Sequence, residues 1–203
     1  MRLGLLGGTF DPIHYGHLML AECCREQCRL DQVFFLPAAV PPHKQARAVT
    51  STENRVAMIE AALEGQSSIA VSRYEVDRGG VNYTVHTLEH FHREFPQAEF
   101  FFIMGADMLA DLPNWREAPR VCTLATPTVA RRAGTKPPDF DLLHTITSAE
   151  RIEQMRLHQV EMPEIGISSS EIRRRVAAGS SIRYWTPPAV EQYICTHGLY
   201  RGG

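Results

Sequence analysis

The residues with the clearest chemical potential stand near the start of the chain, in Gly7-Gly8-Thr9-Phe10-Asp11-Pro12-Ile13-His14-Tyr15-Gly16-His17. Two adjacent glycines let a backbone approach a ligand closely, and His14 and His17 are three residues apart, so a helix would hold both on one face. A helix start here would add free backbone N–H groups and a partial positive charge. Phosphate is the ligand that suits such a site. Two common nucleotide motifs are excluded: no Gly-Lys-Ser/Thr follows, as a Walker A loop requires, and the second gap is wrong for G-x-G-x-x-G. A second stretch, Ile167-Ser168-Ser169-Ser170-Glu171-Ile172-Arg173, sets hydroxyls ahead of an arginine one turn further on. By itself it reads as an ordinary serine cap followed by a solvated basic face.

The elements around these stretches decide what they can reach. Arg2 to Leu6 is a short apolar run that opens into the two glycines, as a buried strand ending in a tight loop would. Helical spacing of Leu18, Leu20, Ala21 and Cys24 predicts a helix from Tyr15 to about Arg29. Gln32 to Leu36 predicts a second strand, and the prolines at 41 and 42 an exposed loop. Thr50 with Glu53 matches a capping box for a helix running to Gly65. Further on, Ile69–Val76 reads as strand, Thr84–Phe95 as helix, Glu99–Met104 as strand and Val121–Val129 as a fifth strand. Ala133–Asp141 reads as a connection, followed by a helix from Ser148 and a strand near Leu157–Val160. Two helices, Ser168–Ala178 and Pro187–His197, close the chain. The alternation predicts an α/β fold: an open, mostly parallel sheet with helices on both faces and ligands at the carboxyl ends of the strands.

Bulk properties narrow the function classes. At 203 residues the chain fits one domain, 1–203, with the serine-rich motif and the closing helices in 165–203. A net charge of −2 provides no global field for a nucleic acid backbone or an anionic membrane, so no nucleic acid or membrane partner is expected. No apolar run is long enough to span a bilayer and the first residues lack a signal peptide's pattern, which predicts a cytoplasmic protein. Five cysteines, 23, 24, 28, 122 and 195, are odd in number and without a C-x-x-C pair, so reduced thiols are expected. Cys24 and Cys28 lie one helical turn apart, but no second pair completes a four-ligand metal site. His86 and His90 have a chelating spacing, but no H-E-x-x-H follows and helical histidines are usually structural.

The first stretch matches the G-x-F-x-P-x-H-x-G-H signature of the nucleotidyltransferase superfamily, and Ile167–Arg173 resembles its I-S-S-T-x-I-R motif. Intervening segments resemble one family within it, the nicotinate mononucleotide adenylyltransferases. They are Pro41-Pro42-His43-Lys44, Asn82-Tyr83-Thr84 with Thr87-Leu88, and Gly105-Ala106-Asp107 through Leu112-Pro113 to Trp115. The ending His197-Gly198-Leu199-Tyr200 is similar to the family's closing segment. Asn82 departs from the usual serine, and His86 stands where another polar residue is expected.

This resemblance implies a Rossmann-like nucleotidyltransferase fold and transfer of AMP from ATP to nicotinate mononucleotide, with Mg²⁺ carried by the ATP phosphates. It implies His14, His17 and Arg173 as catalytic residues. Gly7, Gly8, Thr9, Phe10, Gly105, Asp107, Ile167, Ser168 and Ser170 would complete the ATP site. For the mononucleotide it implies Lys44 at the phosphate, Trp115 against the pyridine ring, and Tyr83 and Thr84 at the carboxylate, although Trp115 also suits a core and Lys44 a solvated loop. Preference for the acid over the amide is expected because backbone donors without a nearby acidic side chain favour a carboxylate. The competing readings are a related adenylyl- or cytidylyltransferase acting on pantetheine phosphate or nicotinamide mononucleotide, and a non-catalytic nucleotide- or RNA-binding module.

Overall fold

The computed structural model describes residues 1–39, 49–132 and 137–201. The chain begins with β1 (Arg2–Gly8), α1 (Tyr15–Gln27), β2 (Gln32–Pro37), α2 (Thr52–Ala62), β3 (Ile69–Val71), α3 (Tyr74–Arg78) and α4 (Thr84–Glu94). It continues through β4 (Glu99–Gly105), α5 (Ala106–Asp111), α6 (Ala118–Leu124), β5 (Thr126–Arg132), α7 (Ala149–Leu157), β6 (Val160–Met162), α8 (Ser169–Ala177) and α9 (Pro188–Thr196). Two 3-10 turns, Leu112–Asn114 and Asp141–Thr145, join the later elements.

The strands form one six-stranded sheet in the order β3-β2-β1-β4-β5-β6, and every pairing is parallel. The central strands β1 and β4 are apolar runs because both faces of the sheet are covered there, so neither set of their alternate side chains meets water through the middle of each strand. On one face Leu3 and Leu5 pack with Phe100, Phe102 and Met104 of β4 and with Leu88 and Phe91 of α4. On the other, Leu6 packs with Val33, Phe35 and Ile103, with Ala21 and Cys24 of α1, and with Ile172, Val190 and Ile194 from α8 and α9. The last two helices therefore lie on the α1 side of the sheet. Strand order reverses between β1 and β4, and the crevice beyond the carboxyl ends at such a point is where open α/β sheets take ligands. Among the described residues, no helix is long and apolar enough to cross a membrane.

Several boundaries differ from expectation. The strand expected over Ile69–Val76 stops at Val71, and α3 follows. The fifth strand begins only at Thr126, since Val121–Leu124 completes α6; a short apolar run reads as either element until its packing is known. Leu157 ends α7 and is 75% exposed, and the last strand runs Val160–Met162. Ser51, not Thr50, caps α2 by accepting from Asn54 N, while Glu53 turns outward to Arg73. The cysteines are free, with Cys24, Cys28 and Cys122 buried. His90 stacks on Tyr74 at 3.8 Å, and His86 Nδ1 lies 3.3 Å from Arg78 Nη1.

Candidate active site

β1 ends in a turn shaped by packing. A Cβ on Gly8 would lie 2.7 Å from the Phe10 ring, so only glycine lets Phe10 fold back at φ 49° and bury itself against Phe35. Phe10 is 2% exposed, and its ring also meets His17 edge-on at 5.0 Å, so it shapes the turn from beneath and leaves its backbone to face a ligand. His14 takes the N-cap position of α1 and stacks on His17 at 3.8 Å. Gly16 makes room for that ring, because a Cβ there would stand 3.0 Å from it. His14 is 6% exposed, and burial lowers its pKa to about 4, so the ring is neutral at pH 7. Its Nδ1 has no partner among the described residues.

The start of α8 is bonded directly to this turn. Ser169 Oγ donates to Pro12 O at 2.8 Å, and Arg173 Nη1 donates to Asp11 O at 2.6 Å. Arg173 Nη2 donates to Ser170 Oγ at 3.3 Å, while Ser168 Oγ caps α8 by accepting from Glu171 N. Thr186 Oγ1 donates to Ile13 O, and Tyr15 N donates to Trp185 O. The two helix starts thus share one neighbourhood with His14, His17, Ser170 and Arg173 in it, and Gly16 faces Ile167 O across the join.

Arg55 supports the turn from α2. It is 1% exposed, and its guanidinium donates to Thr9 O and Ala38 O, each at 2.8 Å, to Thr50 O at 3.1 Å and to Thr52 Oγ1 at 3.1 Å. Burial lowers its pKa, yet the ring of carbonyls keeps the cation solvated from within.

A cleft of about 720 Å³ opens from the same turn along the carboxyl ends of β1 and β4. Gly7, Gly8 and Thr9 form one end, and Tyr83, Thr84 and Trp115 the wall, with Asp107 beside them. Trp115 is half-buried, with its edge toward Phe102, and its Nε1 donates to Asp111 Oδ2 at 3.2 Å. Tyr83 is 39% exposed and carries the Arg116 guanidinium over its ring at 4.7 Å. No side chain caps α4; His86 N and Thr87 N turn back to Tyr83 O, so its first-turn donors toward the cleft are at most those of Thr84 and Val85. Asn82 braces the preceding turn: its Nδ2 donates to Glu75 O at 3.0 Å, close to Gly79 and Gly80 at φ 68° and 63°.

The sequence-predicted residues divide into two groups. Gly7, Gly8, Thr9, Tyr83, Thr84, Asp107 and Trp115 line the cleft. Phe10, His14, His17, Ile167, Ser168, Ser170 and Arg173 belong to the junction beyond Thr9, and Gly105 is the exposed last residue of β4. Lys44 lies outside the described residues. One premise is overturned. The expected acid preference assumed no acidic side chain near Thr84, yet Glu75 lines the cleft there and accepts from Thr87 Oγ1 at 2.7 Å. Burial raises its pKa, with Thr87 opposing the shift. Sequence reasoning also missed Arg55, Ser169 and Tyr200. Arg55 carried a signal, since it occupies the apolar stripe of Met58, Ile59 and Ala62 at helical spacing.

Comparisons with known proteins bear on the fold and the family. The family model described as cytidylyltransferase-like matches residues 5–175. A Thermomicrobium roseum protein bearing the name "Probable nicotinate-nucleotide adenylyltransferase" is 48% identical over 98% of this chain and 92% of its own. One of the same name from Thermus thermophilus is 45% identical over 99% of this chain and 100% of its own. In fold, the chain is similar to Plasmodium falciparum nicotinic acid mononucleotide adenylyltransferase complexed with NaAD, with a TM-score of 0.72 at 19% identity over 98% and 97% of the two chains. With a parallel sheet of this order, the two bonded helix starts and full-length relatives well above 40% identity, the chain belongs to the cytidylyltransferase-like superfamily and, within it, to the nicotinate-nucleotide adenylyltransferases.

Proposed function

We infer that this chain transfers the adenylyl group of ATP to nicotinate mononucleotide, forming deamido-NAD and pyrophosphate. The observation that carries the site assignment is the direct bonding of the two helix starts at the head of an aromatic-walled cleft. A 5′-phosphate oxygen of the mononucleotide attacks the α-phosphorus of ATP, the bond to the pyrophosphate oxygen breaks, and pyrophosphate leaves in line. The attacking phosphate is already ionised at neutral pH, so no protein nucleophile is required. The work of the protein is to align two anions against their repulsion and to stabilise charge spreading onto pyrophosphate.

In this reading ATP lies with its phosphates at the junction. His17 and Arg173 donate to them, neutral His14 stacks behind His17 at the same group, and Ser168, Ser170, Ile167 and the Gly7–Phe10 backbone enclose the donor. Asp107 takes the ribose hydroxyls from the end of β4, beside Gly105. Lys44 takes the acceptor phosphate, Trp115 the pyridine face, and Tyr83 and Thr84 the carboxylate. Acid preference then rests on the uncapped start of α4, on Arg116 beside Tyr83, and on Glu75 being engaged by Thr87 with its pKa raised.

Mg²⁺ would enter with ATP, held by the ATP phosphates themselves. The buried Asp11 carboxylate is already bonded to Tyr200 and Thr50, and no group of three or more His, Cys, Asp or Glu that would hold a metal occurs among the described residues. Held by the phosphates, the ion would neutralise part of their charge. A pyrophosphate-release assay with ATP, Mg²⁺ and each mononucleotide tests the function. Release that needs nicotinate mononucleotide, and runs slower with the nicotinamide form, is expected. Release with neither, alongside intact ATP binding, would leave a nucleotide-binding module.

A further inference from the structure

Asp11 is 4% exposed and sits where three distant parts of the chain meet. Its Oδ1 accepts from the Tyr200 hydroxyl at 2.7 Å, 189 residues away, and its Oδ2 accepts from Thr50 N at 3.4 Å. The same Oδ2 lies 3.9 Å from Arg173 Nη1, which donates to the Asp11 carbonyl at 2.6 Å. The Arg173 side chain is only 16% exposed, with Asp11 on one nitrogen and Ser170 on the other. A guanidinium is planar and its donors leave in fixed directions, so whatever fixes two of them fixes the aim of the rest.

We propose that Asp11, oriented by the Tyr200 hydroxyl, is a positioning residue that sets the direction in which Arg173 presents its guanidinium to the ATP phosphates. The proposal rests on the reading of the junction as the ATP site. A plain structural pin predicts something else: loss of the Tyr200 hydroxyl would then lower stability alone.

The test uses full-length protein, a non-reactive methylene analogue of ATP with Mg²⁺, calorimetric binding, steady-state kinetics and thermal unfolding. Tyr200→Phe should weaken analogue binding about three- to tenfold and Asp11→Asn about tenfold or more, while binding of nicotinate mononucleotide stays unchanged. In an Arg173→Lys background the effect of Tyr200→Phe should shrink to less than about twofold, because its target is gone. Tyr193→Phe removes another hydroxyl of the terminal region, donated to Asn54 at 2.9 Å, and should leave ATP binding untouched. Equal losses from Tyr200→Phe in both backgrounds, or a lower unfolding temperature with unaltered binding, would overturn the proposal. If Asp11→Asn does not fold, the Tyr200 and Arg173 pair decides alone. Wild-type protein that binds the analogue but releases no pyrophosphate with the mononucleotide would instead overturn the functional reading itself.

Discussion

The two halves of the site are held by different kinds of contact. At the junction the bonds join residues far apart in sequence: Asp11 to Tyr200, Pro12 to Ser169 and Ile13 to Thr186 are separated by 189, 157 and 173 positions. In the cleft they are local: Trp115 to Asp111 spans four positions and Asn82 to Glu75 seven. Buried polar groups gather under the junction, with Asp11, His14 and Arg55 all under 7% exposed, although Ser168 and Ser170 at its rim are exposed, as Tyr83 is in the cleft. On the proposed assignment of ATP to the junction and the acceptor to the cleft, donor geometry is a property of the whole fold, and acceptor geometry a property of two short segments. Changes in the first should disturb stability and chemistry together, and changes in the second should alter acceptor selection with little effect on folding.

Arg55→Met puts that contrast under the heaviest load. It strips the donors from Thr9, Ala38 and Thr50 and should lower the unfolding free energy by about 3–5 kcal/mol, measured by urea titration. A loss under about 1 kcal/mol would mean that the junction does not depend on it.

His14 sharpens the same point through pH. Its folded pKa of about 4 lies below the free value of 6.5, so between those values the unfolded chain binds the proton first. Stability should be complete above pH 6.5 and fall as pH drops toward 4, by at most about 3 kcal/mol. His14→Gln should flatten that part of the profile. An unchanged slope would show that the ring does not titrate as buried.

His17→Ala should slow turnover about ten- to a hundredfold or more and lower the unfolding temperature while the chain still folds, since a charge-assisted donor contributes about 1.5–3 kcal/mol and the ring packs on Phe10 and His14. Normal turnover would remove His17 from the mechanism. The smallest effects are expected in the cleft. Trp115→Phe, which keeps an aromatic ring against Phe102, should raise the mononucleotide KM about threefold, and Arg116→Gln should narrow discrimination between acid and amide by about threefold, both with near-native unfolding temperatures. Loss of ATP binding in either variant would erase the division between the two regions.

How much of this was legible in the sequence follows the same division. The turn after β1 and the start of α8 were readable because glycines, histidines and serines cluster within a few positions of a helix start. The parallel pairing was readable from the alternation of strands and helices, whereas the order of the strands was not, because it depends on which apolar faces meet. Val121–Leu124 shows the same limit, being an apolar run that reads as strand until it is seen packed beside α4 in the core. Tyr200 resembled part of a closing segment, and nothing local in it announced a bond to Asp11. Glu75 escaped notice because α3 was read as a continuing strand, which hid the side chain that α3 brings to the cleft.

The most direct test of the central claim is a crystal structure with Mg²⁺ and a non-reactive ATP analogue. The account predicts triphosphate oxygens within hydrogen-bonding distance of both His17 and Arg173, with the Tyr83–Trp115 wall left open for the acceptor. A triphosphate lying along that wall, with His17 and Arg173 both unengaged, would contradict it.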